Sequence, residues 1–168
     1  IAAATTKASQ LWPGGSSGLN LTGSTAAMRN KMGVWEFDGA PLASHVEFTG
    51  RLVQKDLPTG SSGNDHATHV AGTMVAAGIN PIAKGMAYGI PNLISYDHNS
   101  DISEMTAEAG AGMLISNHSY GFIAGWNYNT AQSRWEFYGR PDENEDYRYG
   151  YYGIDAQRVD SITYNAPF

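Results

Sequence analysis

Two side chains in this sequence stand where acid–base chemistry could be done. Asp38 closes the run Gly33–Phe37 and is followed by Gly39, which puts a carboxylate at the end of a predicted strand. His66 opens the run His66–Ala77, which reads as a helix closed by Gly78, and lies 28 residues after Asp38. A histidine at a helix N-terminus feels the positive end of the helix dipole, which disfavours imidazolium. A nearby carboxylate opposes that effect and orients the ring through its Nδ1 proton. Together the two describe an oriented general base whose missing part is a nucleophile, ordinarily a serine on a separate helix.

The other candidate groups read more plainly. His69 lies one turn after His66, but no Glu of the His-Glu-x-x-His type accompanies the pair. It is therefore expected to be a buried structural residue rather than a zinc ligand. His98, beside Asp97 at a strand end, is a candidate for a substrate groove. Asp142, Glu143, Asn144, Glu145 and Asp146 form an acidic run, read as a solvated loop in preference to a calcium site. There is no cysteine, which removes disulfides, thiolate metal sites and a cysteine nucleophile together.

Elements must hold these groups in place. Gly33–Phe37, Arg51–Lys55, Asn92–Tyr96 and Met113–Asn117 read as short strands. Between them lie the His66–Ala77 helix and a second helix over Ser103–Gly110, with Ser100 or Asp101 as its cap. Ala67, Ala71 and Gly72 give the first helix a flank of small residues that can lie close to a sheet. Residues 122–153 are rich in Trp, Tyr and Gly and show no clear period, and Ile154–Tyr164 has helical spacing. Strands alternating with helices predict an α/β fold with a mainly parallel sheet. Ligands bind such sheets at the carboxyl ends of the strands, which selects Asp38, Tyr96–Asp97 and Asn117–Gly121.

Composition narrows the function further. The chain has 168 residues, enough for one domain with a real core. Its net charge of −6 is a poor match to a phosphate backbone, so nucleic acid is not an expected partner. No run approaches the roughly 20 apolar residues needed to span a bilayer. The opening IAAATTKASQ lacks the charged and apolar regions of a signal peptide.

At this point the sequence resembles a family. GNDHATHVAGTMVA at 63–76 is similar to the histidine motif of the subtilisin-like serine peptidases, written His-Gly-Thr-His-Val-Ala-Gly-Thr. His66, Thr68, His69, Val70, Ala71, Gly72 and Thr73 match it, and Ala67 replaces the glycine. GVWEFDGAPLASHVEF at 33–48 resembles the family's aspartate motif, with Gly39-Ala40 where Ser/Thr-Gly is usual. LISNHSYG at 114–121 resembles the strand that lines the first specificity pocket, with Ser119-Tyr120-Gly121 in place of Ser-Leu-Gly. KGMAYG at 84–89 resembles the step from the histidine helix to the next strand, and the aromatic 126–153 segment is most like the subtilases of Bacteroidetes-type bacteria. The motifs occur in the order Asp, His, substrate strand, matching the Asp, His, Ser order of subtilisins.

The resemblance implies a secreted serine endopeptidase of subtilisin-like three-layer fold, of which this chain is the N-terminal portion. Residues 1–32 would be an N-terminal arm and 33–121 the core carrying the motifs. Residues 122–153 would be an aromatic insertion and 154–168 a helix and chain end. Asp38 and His66 would be catalytic, and Ser119, Tyr120 and Gly121 would bind the substrate backbone. The family's Ala-Gly-Asn and Gly-Thr-Ser-Met-Ala segments are absent. Gly23-Ser24-Thr25-Ala26-Ala27 precedes Asp38 and reads as a helix-start cluster. The serine and the oxyanion asparagine are therefore expected on a second, C-terminal chain of the same peptidase, which would also cover the open edge of the sheet. The other partner is a peptide or protein substrate. No cofactor is required; calcium enters only as a structural ion, and at Glu47 the facing loop 78–83 offers too few oxygens to hold it. The rival readings are an inactive subtilase-fold module that binds protein or glycan, and a metal-dependent hydrolase using His66, His69 and carboxylates.

Overall fold

A computed structural model describes residues 2–37, 39–56 and 63–167. Asp38 therefore lies outside the described residues, as do residues 57–62. The chain divides into two compact units, residues 1–119 with 166–168, and residues 120–165.

The first unit opens with α1 (Ala2–Thr5) and two 3-10 turns, Ala8–Leu11 and Ala26–Met28. Four strands follow: β1 (Met32–Glu36), β2 (Leu52–Gln54), β3 (Leu93–Asp97) and β4 (Ile115–His118). They form one sheet in the order β2-β3-β1-β4, and every pairing is parallel. Parallel strands need crossovers, and α2 (Asp65–Val75) and α3 (Asp101–Gly110) lie within them. This is the mixed α/β architecture that the alternation of strands and helices implies.

Alternation along β1 divides its side chains between the two helices. Met32 and Val34 share a core with Phe48, Ile90, Leu93 and the small face of α2, Ala71 and Val75. Trp35 faces α3, where its indole N–H donates to Glu104 at 3.0 Å. Each residue of β1 is buried, as expected of a strand covered on both faces. Trp35 lies flat between its registered neighbours, Tyr96 on β3 and His118 on β4, with 5.0 Å between ring centroids on each side. That stack needs a glycine below it: a Cβ on Gly33 would sit 2.7 Å from the Trp35 ring and 2.8 Å from Met113.

Sequence also explains how α2 starts and stops. Asn64 is its N-cap, accepting from the Ala67 N–H at 3.0 Å. Ala67, Ala71 and Val75, each four residues apart, form its buried stripe. The helix stops at Val75, earlier than the expected Ala77, and Gly78 is used differently from a simple cap. Its N–H, with those of Ile79 and Asn80, donates to the Glu47 carboxylate at 2.7, 3.1 and 2.8 Å. The following segment returns along the helix through Gly85 N–H to Ala76 O and Met86 N–H to Thr73 O. A Cβ on Gly85 would lie 2.4 Å from the Ala76 nitrogen, so only glycine permits that approach. Arg51 ties these pieces together by donating to the carbonyls of Glu47, Val75, Tyr88 and Ile90.

The second unit contains a hairpin that the sequence reading missed. β5 (Trp126–Asn129) and β6 (Arg134–Phe137) pair antiparallel. Trp126 opposes Phe137 and Tyr128 opposes Trp135, which makes one aromatic face. Asp146 holds the unit together from within, accepting from Gly125 N–H and from the Arg148 backbone and guanidinium. The Arg148 bonds, with help from Gly125 and against burial, hold its carboxyl well below the usual range. The helix expected over Ile154–Tyr164 is α4 (Ile154–Asn165). Among the described residues no helix is long and apolar enough to cross a membrane.

Candidate functional site

The carboxyl ends of the parallel strands bring together Glu36 from β1, Asp97 from β3, Ser119 just after β4, and His66 from the first turn of α2. The loop after β1 is fastened to that turn by backbone geometry. Asn64 N–H donates to Ala40 O at 2.9 Å, and Leu42 N–H donates to Thr68 Oγ1 at 2.8 Å. The end of β1 and the start of α2 are thus held in one frame.

His66 is half exposed, with 56% of its side-chain surface open to solvent. Its Nε2 lies 3.1 Å from the Ser119 carbonyl oxygen and 3.6 Å from Glu36 Oε2. A carbonyl only accepts, so the neutral ring carries its proton on Nε2, and the lone pair falls to Nδ1. This differs from the expected arrangement, in which the carboxylate side of the ring is Nδ1. Glu36 is fully buried, and neither of its oxygens accepts a hydrogen bond from the described residues. Burial pushes its pKa up to about 7, with His66 pulling the other way.

The neighbouring polar groups are largely committed to structure. Asp56 accepts from the Asp97 N–H at 2.9 Å and from Gln54 at 2.6 Å. Asp97 accepts from the backbone and side chain of Asn99 at 2.7 and 3.0 Å. His98 packs its ring on Phe37, with 4.6 Å between centroids. His118 lies against Trp35, and burial lowers its pKa against the pull of Asp101. Asn117 Nδ2 donates to Ser119 Oγ at 2.8 Å.

Several sequence expectations fall differently here. His69 is exposed rather than buried, and lines a cavity of about 530 Å³ along α2 with His45, Thr73 and Lys84. His66 is not among the residues lining that cavity. Ser119 lies beyond the last residue of β4, and its carbonyl is taken by His66. Tyr120 and Gly121 belong to the second unit. Within the acidic run, Asp146 is engaged by Arg148, and Glu143 pairs with Arg140 at 3.2 Å. No group of three or more His, Asp or Glu poised to hold a metal occurs among the described residues.

Glu36 is the site residue that sequence reading passed over. Its signal was present: a charged residue two places after Val34, on the core face of a strand otherwise without charge. Comparison with known protein families, with curated proteins and with solved structures gives no match in any of the three.

Proposed function

We propose that this chain supplies the acid–base part of a subtilisin-like serine endopeptidase, with His66 as general base and a carboxylate from the end of β1 behind it. The observation that supports this most is the position of His66. It stands at the first turn of α2, with a ring nitrogen at the carboxyl edge of a parallel sheet, 3.1 Å from Ser119 O and 3.6 Å from a buried carboxylate. Open sheets of this kind place their chemistry at that edge. The motif resemblance around Asp38, His66 and Ser119-Tyr120-Gly121 adds the class of reaction.

The mechanism is acyl transfer. The lone pair of His66, at Nδ1 in this geometry, takes the proton of a serine hydroxyl as its oxygen attacks the peptide carbonyl. The tetrahedral species collapses when His66 returns that proton to the leaving amine. The resemblance gives the carboxylate role to Asp38. It leaves the serine and the oxyanion donors outside these 168 residues, in a second chain of the same peptidase. Substrate backbone would run beside residues 119–121 as an added strand.

The test uses the complete protein and a fluorophosphonate probe, which reacts only with an activated serine. Labelling of a serine in a Gly-Thr-Ser-Met-Ala segment, lost in His66→Ala, is expected. Absence of labelling in the wild type overturns the proposal. One observation favours the rival binding module: Trp126 and Trp135 on the hairpin are 62% and 64% exposed. Exposed rings of that kind serve as contact platforms. Glycan or protein binding that depends on both, with no reactive serine, would favour that reading.

A further inference from the structure

We infer that the cavity along the outer face of α2 is a binding site for a small apolar carboxylic acid, with the acid group toward Lys84 and the hydrocarbon body over Gly72. It is separate from the sheet edge where His66 stands, since His66 is not among its lining residues.

Its shape follows from the helix. Asp65, Thr68, His69, Gly72, Thr73 and Ala76 recur at spacings of three and four, so they form one stripe of α2. The buried stripe of Ala67, Ala71 and Val75 is turned inward, which leaves this one outside. The segment after β1 adds Leu42, His45 and Phe48, and the segment returning along α2 adds Ile82 and Lys84. The enclosed space of about 530 Å³ suits a small molecule. Gly72 keeps its floor low: a Cβ there would have Phe48, 3.9 Å away, as its nearest contact outside the helix.

The chemistry of the lining selects the ligand. Leu42, Phe48, Ala76 and Ile82 call for an apolar body. The polar groups sort by whether they are already committed. Thr68 Oγ1 accepts from the Leu42 N–H at 2.8 Å, and Thr73 Oγ1 donates to His69 O at 3.0 Å. The Glu47 carboxylate is taken by the backbone N–H groups of Gly78, Ile79 and Asn80. What remains is mostly donors. His45 Nδ1 accepts from the Glu47 N–H at 3.3 Å, so its neutral ring carries the proton on Nε2. Lys84 is a cation without an acid partner among the described residues; its ammonium lies over the rings of Tyr88 and Trp12, at 4.5 and 5.4 Å.

Position along α2 then orients the ligand. Asp65 is the acid of the lining that lies in the first turn. Lys84 is at the opposite end, because Gly85 beside it donates to Ala76 O. The last carbonyls of a helix ordinarily repel an anion. Here those of Thr73, Met74, Val75 and Ala76 accept from Met86, Ala87, Arg51 and Gly85, so that repulsion is answered. One negative end toward Lys84 and an apolar body toward Leu42 match this arrangement.

Calorimetry on the complete protein tests this, with octanoate as the probe and 1-octanol as its neutral control. Octanoate is expected to bind, and octanol to bind about ten-fold more weakly or worse. Lys84→Met should weaken octanoate by about ten-fold and leave octanol unchanged. Gly72→Leu should fill the floor and abolish both. Should that variant fail to fold, Ile82→Asp decides in its place: Ile82 is 71% exposed, and the new charge should weaken octanoate by about ten-fold or more. No binding of octanoate by the wild type overturns the inference. So does equal binding of octanoate and octanol, or octanoate binding that Lys84→Met and the folded cavity variant leave unchanged. None of these readouts needs peptidase activity.

Discussion

The Asn80 N–H donates to Glu47 Oε1 at 2.8 Å, and through this bond a buried carboxylate organises the turn after α2. Gly78 and Ile79 donate to its other oxygen, so both oxygens accept backbone N–H bonds. Burial alone would raise the Glu47 pKa. The backbone bonds from Asn80, Gly78 and Ile79, with His45 nearby, outweigh it and hold the group below the ordinary range. A depressed folded-state pKa gives stability that is present above the unfolded value and lost as pH falls through the folded one. Urea unfolding is therefore expected to weaken as pH falls below about 4, and Glu47→Gln to flatten that dependence. At neutral pH the same substitution should cost about 1–3 kcal/mol. Addition of a calcium chelator should leave this turn as it is, read by the thermal midpoint.

Glu36 has the opposite sign. Its pKa is raised to about 7 by burial, against the lowering effect of His66. The folded state keeps the proton while the unfolded chain has already lost it. Stability is then full below the unfolded value and declines as pH rises towards about 7. Glu36→Gln removes the titration, and above about pH 7 it should be more stable than the wild type by about 1–3 kcal/mol. Chemical unfolding of both proteins on either side of that pH checks the sign. A Gln variant less stable at high pH would contradict it.

Gly33 tests the aromatic stack. Gly33→Ala places a methyl group against the Trp35 ring and the Met113 side chain, each closer than 3 Å. Strand backbone held on both sides gives it little room to retreat. The expected loss is about 1–3 kcal/mol, with a change in the near-ultraviolet signal of Trp35. Unaltered stability would mean that the ring has room to move.

Arg51 tests the clasp around α2. Its guanidinium donates to four carbonyls, on Glu47, Val75, Tyr88 and Ile90. Arg51→Met keeps the aliphatic stem and removes every donor. About 3 kcal/mol of stability should go with them, since the carbonyls lose those donors and Glu47 O keeps the Ala77 N–H at 3.1 Å. Hydrogen exchange should quicken at Ala76 and Gly85, which lie in the same clasp.

Much of this was legible in the sequence, and the reasons differ by element. The strands around Val34, Ile94 and Ile115 are short apolar runs between breakers, and α2 declares itself through the small residues Ala67, Ala71 and Gly72. The β5–β6 hairpin was hidden because its aromatics face partly outward. Trp126, Tyr128, Trp135 and Phe137 alternate with polar residues, which is the period of a strand, but no breaker pair marks the turn. His69 was misjudged because helical spacing alone does not say which flank meets the sheet; Ala67, Ala71 and Val75 do, and His69 lies off that stripe. Glu36 is overshadowed in the sequence by Asp38 two places on, which carries the spacing to His45. The orientation of a strand side chain depends on which helix its neighbours meet, and only the packed sheet shows that.

The bonds from Asn64 to Ala40 and from Leu42 to Thr68 have a further consequence. Main chain and one threonine link strand end to helix start, independently of the charge on any side chain. Under the proposed reading, a descendant could lose its imidazole, keep these two bonds, and take up recognition in place of turnover.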